Sequence, residues 1–439
     1  MAPGKLHPFQ LAGASFLASR RVAYLADDMG LGKTVQAIRA LDMVGATRAL
    51  IICPAIVKGA WEDAFAQFAV QPRRVVDIDK PQKLDHADVA LASFNAVAEH
   101  PEAFARFAPH HVVIDEAHFL KDREAGRTLA ILGDVRTGLK GVASHARNTW
   151  FMSGTPAPNN ASELYTPLAF AGLWKQSYWD FVNRFCVYQP TEHGISVKAT
   201  KNEAELQALI KDFMFRRTER EAGIELPPLA VGSVEVEPQE LVVDLDLMGQ
   251  LRDAEPHAAD VIDRAQRTQD FSMADAEHLA TIRRLTGLLK IKSAAALARD
   301  ALGKHAKIGM YAVHRGVIGE LASELKAFKP LVLAGGMTDK RRRKAILDFQ
   351  NPDSPHRVVV GQMHAAGAGV TLTAADRAFL VEASFVPGDN RQAIKRFHRI
   401  GQHKAVRVDF VSATGTLDVA INSIIERKTR HLANLIRPS

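Results

Sequence analysis

Leu25-Ala26-Asp27-Asp28-Met29-Gly30-Leu31-Gly32-Lys33-Thr34 decides how this chain is read. The apolar run Val22 to Ala26 before it suits a buried strand, and Val35 to Met43 after it has apolar residues at helical spacing. A strand, a glycine-containing turn and a helix in that order aim backbone N–H groups and the positive end of a helix dipole at one point, where phosphate oxygens are bound. The pattern G-x-x-x-x-G-K-[ST] is that arrangement, with the lysine on the β and γ phosphates and the hydroxyl on Mg²⁺. Lys33 and Thr34 fill these two positions, and Gly30 and Gly32 lie in the turn before them. The first glycine of the pattern is replaced by Asp27, so the motif by itself is incomplete and an ordinary strand-to-helix turn remains open.

Composition narrows the setting. A chain of 439 residues exceeds one typical core, so two or three domains are expected. With 47% hydrophobic and 24% charged residues the profile is globular. The two cysteines, Cys53 and Cys186, make neither a disulfide framework nor a zinc site, which points to a reducing intracellular compartment. No apolar run reaches membrane-spanning length, and no signal-peptide core follows Met1, so the expectation is a soluble protein, cytoplasmic or nucleoid-associated if the source is a prokaryote or phage. The net charge of +7 favours a polyanionic partner without proving one.

Upstream of the loop, Gln10 follows Phe9 at a helix start, and its amide can read an adenine edge or simply face water. Downstream, Ala49 to Cys53 and Val89 to Ser93 are compact apolar strands separated by the helical stretch Val57 to Phe68. Strands alternating with helices predict an α/β fold with a parallel sheet covered on both faces, whose ligands gather at the carboxyl ends of the strands. His111-Val112-Val113-Ile114 then delivers Asp115 and Glu116, two adjacent carboxylates that are costly at a buried strand end unless a cation or a reaction uses them. With a phosphate loop upstream, Asp115 holds Mg²⁺ and Glu116 orients and deprotonates the attacking water. Trp150 to Pro156 is a further strand, and its Ser153 and Thr155 suit an element that hydrogen-bonds to the acidic pair, or a plain turn.

From about Ala161 to Ala280 the rhythm changes to long helical segments, with aromatic residues from Tyr165 to Phe185 read as packing core. The alternation returns from Ile308, with strands at Leu331, Arg357 and Ala378. The run Lys340 to Lys344 reads as a solvated basic face or a phosphate contact. Ala366 to Thr373 is a glycine-containing turn that either approaches a phosphate or merely connects. Near the end, Gln392, Arg396 and Arg399 share one helical face, from which arginines can neutralise a transferring phosphoryl group.

Taken together and in order, these motifs resemble the Swi/Snf-type helicase-like DNA translocase ATPases of the second helicase superfamily. DDMGLGKT is close to that family's DEMGLGKT, RFHRIGQ (Arg396 to Gln402) is similarly specific, and FMFRRTEREAGIELPP (Phe213 to Pro228) looks like the segment joining the motor halves. The strand ending in Tyr311-Ala312-Val313-His314 is similar to the small annealing-helicase-like branch. The resemblance implies two RecA-like lobes, residues 1–160 and 286–439, with a helical insertion and connector over 161–285, ATP and Mg²⁺ between the lobes, and duplex or branched DNA across both. It implies Lys33, Asp115, Glu116, Arg396 and Arg399 in catalysis, Gln10, Gly30, Gly32, Thr34, Gly369 and Gln392 at the nucleotide, and Ser93, Arg216, Arg217 and Thr371 at DNA. Asp28 stands where glutamate is usual, and Thr371 where asparagine is common. No histone-reading, nucleosome-spacing or zinc module is recognisable in the chain, which turns the expectation away from nucleosome remodelling. The implied activity is a DNA-stimulated ATPase that translocates on duplex DNA; a strand-separating DNA or RNA helicase and a non-hydrolysing DNA-binding scaffold are the alternatives.

Overall fold

A computed structural model describes residues 4–238, apart from 79, 135, 158–159 and 192–193, and residues 276–423, apart from 364–369, 385–386, 417 and 420–421. The chain divides into two compact units at Glu225/Leu226.

The first unit is built on a parallel sheet. Its strands are β1 (Val22–Leu25), β2 (Ala49–Cys53), β3 (Val75–Ile78), β4 (Val89–Ser93), β5 (His111–Asp115), β8 (Asn148–Met152) and β11 (Met214–Phe215), ordered β11-β1-β8-β5-β2-β4-β3. Between them lie a short ribbon of β6 (Gly133–Asp134) and β7 (Leu139–Lys140) and an antiparallel hairpin of β9 (Cys186–Thr191) and β10 (Gly194–Thr200). The central strands read as unbroken apolar runs because both faces are covered. Leu50, Ile51, Ile52, Val112, Val113 and Ile114 are all fully buried, each contributing about 1.5–3 kcal/mol of transfer free energy. Helices α1 (Pro8–Ala18), α2 (Lys33–Met43) and α3 (Lys58–Phe68) supply the cover nearest the loop.

The second unit repeats the plan. Its six strands, all parallel, run β12-β17-β16-β13-β15-β14, with β12 (Leu229–Val236), β13 (Ile308–Ala312), β14 (Leu331–Leu333), β15 (Val358–Gln362), β16 (Arg377–Leu380) and β17 (Val406–Ala413). Buried Ala294, Ala295 and Ala298 of the helix Ile291–Lys304 pack on one side of this sheet, and Phe349, Ala393 and Phe397 on the other. Two parallel-sheet lobes covered by helices are therefore present, in line with the α/β class expected.

The stretch after 160 departs from expectation. Its described helices up to residue 238 are short, none longer than the eight residues of Tyr178–Phe185 and Glu203–Ile210, and the β9–β10 hairpin interrupts them. Residues 161–225 group with the first unit. The reason is β11, which adds to the sheet edge through Tyr24↔Met214 and Leu25↔Phe215. The aromatic residues are core, as read: Trp174, Tyr165 and Phe185 surround Phe181 with ring centroids 5.3, 6.0 and 4.9 Å away. Residues 239–275 lie outside the described part. No helix among the described residues is long and apolar enough to cross a membrane.

His111 gives this unit a pH dependence. It is 6% exposed beside Trp150, its Nδ1 has no hydrogen-bond partner among the described residues, and burial, followed by His110, Arg147 and Arg73, lowers its pKa to about 4. The unfolded chain takes up that proton near pH 6.5, so stability is complete above about 6.5 and falls as the pH drops toward 4, by about 1.4 kcal/mol per unit. His111→Phe should flatten that limb. All four tryptophans (Trp61, Trp150, Trp174 and Trp179) belong to the first unit, so thermal unfolding followed by their fluorescence across pH 4–7 reads this unit alone. An unchanged slope in the variant would remove His111 as the cause.

Candidate functional site

The strand order sets the site in the first unit. β1, β8 and β5 are neighbours, with Leu25↔Met152 and Asp115↔Met152 in register, so the loop after β1, Ser153 after β8 and the acidic pair at the end of β5 leave one sheet edge side by side. This is the carboxyl end of the strands, where such sheets bind ligands.

The loop turns on glycine. Gly30 and Gly32 have φ of 92° and 71°, conformations that an L side chain adopts only at a cost, and Gly32 caps α2. A Cβ at Gly32 would stand 2.5 Å from Gln10 Nε2, so the Gln10 side chain lies directly against the turn. Gln10 Nε2 donates to Leu31 O at 3.4 Å, and Gln10 Oε1 accepts from His7 N–H at 2.9 Å. Lys33 opens α2, and its ammonium donates to the carbonyls of Asp27 at 2.8 Å and Asp28 at 3.2 Å. Burial lowers its pKa, against the pull of Glu116, Asp27, Asp115 and Asp28. Thr34 follows it, half-buried.

The acidic pair is locally organised. Asp115 Oδ2 accepts from the Trp61 indole N–H at 2.9 Å, and Oδ1 accepts from Glu116 N–H at 3.0 Å. Burial and then the neighbouring Glu116 raise the Asp115 pKa to about 6. Glu116 has φ of 51°, a left-handed conformation that costs a non-glycine residue about 1–2 kcal/mol. Its carboxylate accepts from Ser153 Oγ–H at 3.3 Å, and Nδ1 of His118 lies 3.3 Å from the same oxygen and 3.0 Å from Ser153 Oγ. The link expected from Ser153 to the acidic pair is therefore made. Two adjacent carboxylates, one of them destabilised by burial and by its neighbour, form a donor set that a divalent cation relieves. The residues present fit such an ion.

In the second unit, the helix Pro387–Phe397 and the turn after it carry Arg396 and Arg399, whose guanidiniums lie 3.5 and 3.2 Å from the same carbonyl, Val370 O. Burial and then the adjacent Arg396 lower the Arg399 pKa to about 10, which leaves it charged at neutral pH. Gln402 fixes the segment opposite, its Nε2 lying 3.1 Å from the carbonyls of Thr373, Ala375 and Phe397. Thr371 stands half-buried next to Val370, Gln392 is half-buried one helical turn before Arg396, and Gly369 lies outside the described residues.

One expectation changes. Arg216 and Arg217, read as DNA contacts, are turned into the first unit: Arg216 pairs with Asp28 at 3.2 Å and Arg217 with Asp27 at 2.5 Å, leaving the two side chains 9% and 13% exposed. Aspartates buried beside the loop need these charges. Ser93, also read at DNA, caps the helix Phe94–Glu99 by accepting from Ala96 N–H at 3.1 Å. The sequence reading assigned no role to Trp61 or His118; a polar-tipped aromatic on the buried face of a helix, and a histidine directly after an Asp-Glu-Ala run, were the signals available.

Residues 9–243 match the sequence model of the SNF2-related domain, and residues 304–401 that of the helicase conserved C-terminal domain. The SWI/SNF-related matrix-associated actin-dependent regulator of chromatin subfamily A-like protein 1 homolog of Caenorhabditis elegans is 30% identical over 442 residues, covering 97% of this chain and 61% of that protein. The DNA annealing helicase and endonuclease ZRANB3 of Homo sapiens is 25% identical over 460 residues, covering 97% of this chain and 40% of that protein. A solved structure, the Sulfolobus solfataricus SWI2/SNF2 ATPase core in complex with dsDNA, aligns over 99% of this chain and 94% of that one, with a TM-score of 0.46 and 24% identity. The chain thus spans about three fifths or less of these two relatives. The SNF2-related domain alone accounts for more than half of the residues, and the chain belongs to the SNF2-related family.

Proposed function

We propose that the chain is an ATP-hydrolysing motor that is stimulated by double-stranded DNA and moves along it. The single observation that carries this reading is the meeting, at one sheet edge, of the Lys33 loop with Ser153 and the Asp115–Glu116 pair. Family membership and the annealing-helicase name of one relative support DNA as the track.

In this reading Gln10 meets the base, and the backbone N–H groups around Gly30 and Gly32 with the Lys33 ammonium take the β and γ phosphates. Thr34 and Asp115 would hold Mg²⁺, which supplies positive charge to the phosphate oxygens when bound. Glu116 orients a water and accepts its proton as the water oxygen attacks the γ phosphorus; the bond to the β-phosphate oxygen breaks, and ADP and phosphate leave. Arg396 and Arg399 neutralise charge on the transferring group, and Gln392 and Gly369 bind the nucleotide. Thr371 and the end of β4 at Ser93 remain candidates for the DNA path. The connector expected over 161–285 includes the crossing at Glu225/Leu226. Branched DNA is a further candidate substrate, and an intracellular setting goes with an activity that needs both ATP and DNA.

The test is the ATPase rate without DNA and with single-stranded, duplex and forked DNA at one fixed salt concentration, since binding to the phosphate backbone depends steeply on salt. Slow turnover alone and strong stimulation by duplex are expected. A rate indifferent to duplex overturns the reading, and stimulation by single strands or RNA alone replaces it with a strand-separating helicase.

A further inference from the structure

Arg217 is turned inward, its side chain 13% exposed. Its Nε and Nη2 reach the two carboxylate oxygens of Asp27 at 3.1 and 2.5 Å, its Nη1 donates to Phe9 O at 2.6 Å, and its Nη2 also lies 3.3 Å from Gln36 Oε1. Its guanidinium packs over the ring of Phe215, 4.4 Å from the centroid. Asp27 is fully buried. One side chain therefore joins three pieces: the start of the loop, α2 through Gln36, and the start of α1 through Phe9.

Each piece leads to a nucleotide-facing group. Asp27 O accepts from Lys33 Nζ at 2.8 Å. Gln36 Nε2 donates to Asp27 Oδ2 at 3.0 Å and to Leu31 O at 3.1 Å, and Leu31 O also accepts from Gln10, the residue after Phe9. The backbone joins in, with Ala26 N–H donating to Phe215 O at 2.7 Å and Asp28 N–H to Arg217 O at 2.9 Å. Space has been kept for the junction: a Cβ on Gly13 of α1 would fall 1.7 Å from Gln36 Oε1 and 3.0 Å from Arg217 Nη2. A planar fork with donors on three sides suits such a junction, whereas a lysine ammonium offers one point.

We infer that Arg217 is a positioning residue for nucleotide binding: its guanidinium holds the Gln10 end and the Lys33 end of the site in fixed relation, and thereby ties the loop to the segment through which the chain leaves the first unit. The inference rests on the proposed ATP site and replaces the DNA contact that the sequence suggested for Arg217.

The test uses the full chain and a fluorescent ATP analogue, titrated without DNA, alongside steady-state ATPase and duplex-DNA anisotropy of the nucleotide-free protein across salt. In Arg217→Gln the analogue dissociation constant and the KM for ATP should rise by about tenfold to a hundredfold, the scale of a small misplacement in a site. kcat at saturating ATP should stay within about threefold, the signature of lost binding common to ground and transition states. Duplex affinity and its salt slope should not change. Arg217→Lys keeps the charge but loses the fork, so it should bind nucleotide as weakly as Arg217→Gln. Gly13→Ala crowds Gln36 Oε1 and Arg217 Nη2 without removing a charge and should raise the same two constants, which keeps the inference open to refutation if Arg217→Gln does not fold. Nucleotide affinity unchanged in the folded variants overturns the inference, as does a weakened duplex affinity with a salt slope lower by about one, the mark of a lost phosphate contact. Failure of the motor reading is distinguishable, because it would appear in the wild-type protein as nucleotide binding without DNA stimulation.

Discussion

Replacing Glu116 by glutamine should stop ATP turnover while leaving nucleotide binding in place. The amide keeps the shape and can still hydrogen-bond to Ser153, 3.3 Å away in the native protein, so the left-handed turn at residue 116 has no reason to relax. What is lost is the acceptor for the proton of the attacking water, an effect of about 10²–10⁴ in rate for a positioned general base. Phosphate release under saturating ATP and duplex DNA measures it, with the fluorescent analogue as the binding control. Lys33→Ala should fail at both, because its ammonium is drawn toward four carboxylates and bound to two loop carbonyls. Turnover by Glu116→Gln within about tenfold of wild type would move the general base elsewhere.

Arg399→Ala should lower the duplex-stimulated kcat by about 10³ or more, the scale known for an arginine finger, with duplex affinity retained. The guanidinium is half-buried and stays charged near neutral pH even though burial and Arg396 draw its pKa down to about 10. Both guanidiniums approach the carbonyl of Val370, at 3.5 and 3.2 Å. Arg399→Lys should recover little, since a compact ammonium reproduces neither the reach nor the fork. The measurement is steady-state ATPase with and without duplex. If both variants kept wild-type stimulation, the arginine pair would belong to folding of the second lobe.

Most of the fold was legible because parallel strands buried on both faces are written as apolar runs: Ala49 to Cys53, Val89 to Ser93, His111 to Asp115 and Val358 to Gln362 needed no partner to be recognised. The missed elements lack that signature. β11 is two residues long and exists only because β1 offers an edge. β17 carries Arg407 and Asp409 within it, tolerable because Asp409 pairs with Arg377 and Arg407. β3 contains Asp77 and follows two arginines, and the β9–β10 hairpin sits where aromatic spacing suggested helix.

The site divides the same way. Lys33, Asp115, Glu116 and Ser153 were readable because each ends or directly follows a strand, or begins a helix, in a recognisable order. The Trp61 bond to Asp115 joins residues 54 apart, and the Arg217 bond to Asp27 joins residues 190 apart. Nothing local announces either. Two arginines after an apolar turn look like a phosphate contact when their buried acidic partners are out of sight. Asp27, which first looked like a defect in a glycine motif, has a physical reason: a carboxylate there anchors the guanidinium at the junction of the loop and both helices.

The central claim is movement along duplex DNA driven by hydrolysis, and release of a third strand from a DNA triplex tests it directly. With ATP, the wild-type chain should displace the third strand from a duplex carrying a triplex block, faster than spontaneous release, while Glu116→Gln should displace none. ATP hydrolysis stimulated by the same duplex with no displacement above the spontaneous rate would contradict the account.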